Sequence, residues 1–114
     1  SEMQADKTAV LTFEDAFGHS WQERRDRFGR ITFRYDGYWN TEENQFQALS
    51  LTHFEYPTGV GLPLSEQIAG FLGIGNGASY VYDGQLEEIL SKPADRQTGS
   101  EIERLRELQE ENFI

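Results

Sequence analysis

The sequence predicts an α+β fold, an antiparallel β-sheet of about four strands packed on one face by two or three short helices, and three observations carry that expectation. Residues 31–39 alternate apolar and polar side chains with a period of two. Residues 46–56 return, after the polar turn 40–44, as a second run rich in β-branched, aromatic and aliphatic side chains. Apolar residues then recur at helical spacing within 64–72 and 101–113. A chain of 114 residues makes one domain with a single core. Its expected parts are a disordered tail over 1–7, an α+β core over 8–93, and a connector with an acidic C-terminal amphipathic helix over 94–114. Met3 behind Ser1-Glu2 reads as a natural start after a short expression remnant.

In chain order, residues 8–13 form a short apolar run, too short for a helix and rich enough in β-branched residues for a strand. Ser20 three residues before Glu23 has the form of a capping box, and Gly29 stands where a helix would stop. A two-turn helix is therefore expected over 20–28, with Trp21 and Phe28 turned to the core. In the hairpin that follows, Ile31, Phe33, Tyr35, Gly37 and Trp39 share the buried face. If Trp39 pairs with Phe46 in an unbroken register, Leu49 and Leu51 fall on the polar face, so a β-bulge near Ala48-Leu49 is expected.

Residues 56–63 read as a Pro/Gly loop, and Ser65 caps a helix with apolar residues Leu64, Ile68, Phe71 and Leu72. A strand follows over 79–82, then a brief helix carrying Leu86, Ile89 and Leu90, stopped by Pro93. Ser100 and Glu103 have the spacing of a second capping box, opening a last helix whose stripe is Ile102, Leu105 and Leu108. No internal repeat is visible.

Composition bounds the function. Twenty acidic against ten basic side chains give a net charge of −10, which disfavours direct nucleic-acid binding and favours a basic protein partner. The absence of cysteine agrees with a reducing, cytoplasmic setting, and the lack of a long apolar run argues for a soluble chain without a membrane partner. Residues 35–81 contain no lysine or arginine, whereas Arg24, Arg25, Arg27, Arg30 and Arg34 hold half the basic charge. The expected fate of that cluster is pairing with the domain's own carboxylates.

Gly73, Gly75 and Gly77 do not make a phosphate loop, because the order is helix, glycines, strand instead of strand, glycines, helix. His19 and His53, with Glu14, Asp15 and Glu55 nearby, could make a metal or acid–base site only if the fold brought them together. No catalytic residue, metal or cofactor is assigned. Tyr38 is the exception among the aromatics, since it falls on the polar face beside an acidic turn, where an aromatic side chain with a polar tip suits a binding surface. Leu62-Pro63, Phe71-Leu72 and Asn76-Gly77 resemble the landmark pairs of the SUKH family, many members of which are implied to be immunity proteins against toxins. The first gap is longer than in that family, and strands stand where its helical lead-in would be.

The function expected is that of an acidic inhibitor of immunity, antitoxin or anti-defence type, blocking a basic, nucleic-acid-handling protein by charge mimicry. Its partner-binding residues would be Asp36, Tyr38, Glu42, Glu43, Glu103, Glu107, Glu110 and Glu111. One alternative is an assembly subunit that multimerises through Ile102, Leu105 and Leu108; another is a small hydrolase or metal enzyme using His19 and His53.

Overall fold

The computed structural model describes residues 10–56 and 76–114. They form a five-stranded antiparallel sheet with strands in sequence order: β1 (Val10–Glu14), β2 (Ser20–Arg25), β3 (Ile31–Asn40), β4 (Gln45–Glu55) and β5 (Asn76–Val81). Two helices follow, α1 (Gly84–Ser91) and α2 (Gly99–Asn112), joined through a 3₁₀ turn at Ala94–Arg96. The α+β expectation is met, with one strand more than predicted. The tail 1–7 and the helix expected over 64–72 lie outside the described residues, as do Gly73 and Gly75. Among the described residues no helix is long and apolar enough to cross a membrane.

The additional strand is β2, where the sequence suggested a helix. Both turns that flank it are built on the same tetrapeptide pattern, Asp-x-Phe-Gly. Asp15 Oδ1 accepts from the N–H groups of Phe17 and His19, and Asp26 Oδ1 accepts from those of Phe28 and Arg30. Gly18 and Gly29 take φ of +84° and +81°, the left-handed backbone that glycine adopts without a Cβ clash. Gly29 therefore turns a hairpin and does not stop a helix. Ser20 opens the strand with Trp21 paired between Phe13 and Asp36, so pairing on both sides overrides the local capping signal.

The central hairpin keeps the expected start, with Trp39 opposite Phe46. Its register slips between Asp36 and Gly37, so that Asp36 pairs with Ser50 and Leu49 is the extra residue. The slip turns Leu51 fully into the core, opposite Tyr35, and leaves Leu49 61% exposed. The bulge thus falls where the parity of the two leucines required it. Phe33 and Tyr35 are buried as expected, but Trp39, past the last β3 residue that β2 pairs, is 44% exposed.

The core sits between one sheet face and the two helices: Phe33, Tyr35, Leu51 and Tyr80 from the sheet, Leu86 and Ile89 from α1, Leu108 from α2. Each such side chain contributes about 1.5–3 kcal/mol on burial. Asp83 caps α1 by accepting from the N–H groups of Gln85 and Leu86, and Lys92 ends it just before Pro93. The capping box of α2 is Thr98 with Glu101, not Ser100 with Glu103. Glu101 also accepts from Lys92 Nζ at 2.6 Å, tying the end of one helix to the start of the next.

Candidate binding surface at the hairpin end of the sheet

Pairing of β3 with β2 ends at Gly37, and pairing of β4 with β5 ends at Ser50. Residues 38–40 and 45–47 consequently pair only with each other and project as a two-stranded ribbon. Its turn is fixed by Asn40, whose Oδ1 accepts from the N–H groups of Glu42 at 3.0 Å and Glu43 at 3.1 Å. Asn44 closes the turn at φ +53°, a conformation asparagine tolerates. The Glu43 carboxylate is in turn held by Gln45 and Gln47, through Oε2.

Alternation along β3 sends Tyr38 and Trp39 to opposite faces of this ribbon, 49% and 44% exposed. The β1–β2 turn lies at the same end of the sheet, since Ser20 pairs with Gly37, and it holds Phe17 95% exposed. Leu49, Val81 and Tyr82 are exposed there as well, Tyr82 N–H donating to the carbonyl of the bulged Leu49 at 3.0 Å. Exposed apolar side chains of this size gathered at one end are what an interaction surface requires.

The formal charge of the segments that build this end is of one sign. The segments 14–20, 35–50 and 81–84 carry Glu14, Asp15, Asp36, Glu42, Glu43 and Asp83, with no lysine or arginine. Asp15 and Asp83 are spent on backbone N–H groups, and Asp36 accepts from Arg34 Nη2 at 3.0 Å with His19 Nε2 at 3.4 Å. Glu42 and Glu43 at the tip remain exposed acids.

No family model, no curated protein and no solved structure matches this chain. The likeness to SUKH proteins has no family match behind it; Leu62-Pro63 and Phe71-Leu72 lie outside the described residues, and Asn76-Gly77 begins β5.

The arginine cluster is largely neutralised from within. Arg25 meets Glu23 at 2.6 Å, Arg30 meets Asp26 at 2.9 Å and Arg34 meets Asp36, while Arg24 lies over the Phe33 ring with Nη2 donating to Ser91 Oγ. Burial alone would raise the Glu23 carboxyl, but hydrogen bonds from Arg25 and Trp21 outweigh it and hold the group below the usual glutamate range. Asp26 follows the same pattern: burial is outweighed by donors from Arg30 and Phe28.

The acids expected on the last helix are exposed on α2, where Glu107 accepts from Arg104 at 3.0 Å. Glu110 borders a shallow groove with Tyr80, Arg106, Gln109 and Phe113. Of the apolar stripe, Leu108 is buried and Leu105 packs against the core, which leaves Ile102 exposed. The sheet separates the two histidines: His19 sits against Trp21 and Asp36 on one face, His53 against Phe33 on the helix face. Among the described residues no three His, Asp or Glu side chains converge as metal ligands. Phe17 and Leu49 are the surface residues that sequence reasoning missed; the Asp-x-Phe-Gly turn was the available signal for the first and the parity slip for the second.

Proposed function

We propose that the protein is an acidic binding protein of inhibitor or immunity type, which presents the β3–β4 tip and the adjoining β1–β2 turn to a basic partner. The observation that carries this reading is the projecting ribbon itself, with Tyr38 and Trp39 half-exposed behind Glu42 and Glu43 and no cation in its segments. Aromatic side chains supply contact area at low entropic cost, and the acids steer a positively charged surface toward them. A partner whose positive surface ordinarily meets nucleic-acid phosphates fits this chemistry. Internal pairing of Arg25, Arg30 and Arg34 supports the same reading, because it removes the competing basic patch.

The test uses the full chain and a Glu42→Lys, Glu43→Lys double variant as parallel baits in extracts of the source cells. Capture of a basic protein by the natural chain, lost with the variant and displaced by added nucleic acid, is the expected result. A captured partner that binds both baits equally, or whose affinity is unchanged when salt is raised severalfold, overturns the reading.

A further inference from the structure

The two edges of the sheet are treated differently. The β5 edge is covered by the chain's own C-terminus, where Phe113 bridges Tyr80 and the Ile114 N–H donates to the Ser79 carbonyl at 3.1 Å. On the β1 edge, Val10–Glu14 pairs with β2 on one side, and no described strand lies on the other. Val10 and Leu11 are about half exposed, and the strand carries no proline, lysine or bulge of the kind that guards edges against pairing.

We propose that β1 is a self-association edge, and that its occupant is β1 of a second copy paired antiparallel about a two-fold axis at Thr12. The strand is complementary to itself in that register. Thr12 meets Thr12, Leu11 meets Phe13, and Val10 meets Glu14. Leu11 and Phe13 share the face that carries Trp21, where Phe13 already stacks on Trp21 with ring centroids 5.4 Å apart. The second copy's Leu11 therefore extends that apolar row across the joint. Its Glu14 enters the ladder row of Val10 and Arg24, at the exposed outer end of that row. The joint is isologous, as a two-fold dimer requires, and merges two five-stranded sheets into one.

A five-residue joint is small and each copy carries −10, so the dimer is weak and strengthens when salt screens the repulsion. That salt dependence is opposite in sign to the one expected for the basic partner, which keeps the two proposals separable. Sedimentation velocity of the full chain from about 10 μM to about 1 mM, at low and high salt, reads it directly. The mass is expected to rise from 13.1 kDa toward twice that value, more steeply in high salt. Thr12→Lys and Thr12→Glu place like charges face to face and should each remain monomeric, whereas an equimolar mixture of the two should associate. Leu11→Lys, which sets its ammonium beside Glu23 within the monomer, should also abolish dimers with an unchanged circular dichroism spectrum. A natural chain that stays monomeric throughout overturns the proposal. So does a Thr12→Lys chain that dimerises as before, or a mixture no more associated than its parts.

Discussion

Gly37 lies so close to Gln47 that a Cβ on residue 37 would stand 1.9 Å from the Gln47 carbonyl oxygen. The contact falls at the slip between Asp36 and Gly37, so the glycine is a geometric condition of the bulge. The obstructing atom is backbone and cannot rotate away. Gly37→Ala is expected to destabilise the domain by roughly 2 kcal/mol or more, read as a lower midpoint in urea unfolding. An unchanged midpoint would mean that the two strands separate at no cost.

Leu49 and Leu51 give the matching test. Leu51 is fully buried between Tyr35 and Tyr80 and Leu49 is mostly exposed, although the two are chemically identical and two residues apart. Leu51→Ala should cost about 2–5 kcal/mol of stability, and Leu49→Ala less than about 1 kcal/mol. Equal losses in chemical unfolding would place the bulge elsewhere.

How much of this was legible follows from which forces are local. The hairpin was readable because period-two alternation over Ile31 to Trp39 is imposed by the pleat, and because Leu49 and Leu51 could not both be buried without a slip. The helix expected over 20–28 failed because Ser20 and Glu23 mimic a capping box, while the deciding contacts, Phe13 and Asp36 on either side of Trp21, are distant in sequence. The start of α2 was ambiguous for another reason. Thr98 with Glu101 and Ser100 with Glu103 both fit the spacing, and the helix opens on the earlier pair. Exposure of Phe17 and Trp39 was not legible, since it depends on where the neighbouring strands end.

At the tip, Trp39 and Tyr38 should matter to binding far more than to folding. Both are about half exposed and outside the buried cluster, so alanine at either position is expected to change stability by less than about 1 kcal/mol. Affinity for the captured partner should fall about tenfold or more for each, as for aromatic anchors in interfaces. Titration calorimetry with paired urea unfolding measures both quantities. An alanine variant that unfolds early yet binds normally would assign these rings to the fold.

His53 makes stability depend on pH in a definite direction. Burial against Phe33 lowers its pKa below the usual histidine value of 6.5; Arg24 adds to the lowering and Glu55, 3.9 Å away, opposes it. The unfolded chain thus takes up the proton at higher pH than the folded one. The contribution is fully present above pH 6.5 and is lost as pH falls from there through the folded value. Glu23 and Asp26 act in a lower window, because their folded pKa values lie below 4.5 and 3.8, and their contribution is lost only as pH falls below those ordinary values. Thermal unfolding between pH 8 and pH 3 should accordingly show two separate declines, the first beginning near pH 6.5. His53→Gln, which cannot take up the proton, should flatten the first decline and leave the second. If both declines survive the substitution, the first belongs to another group.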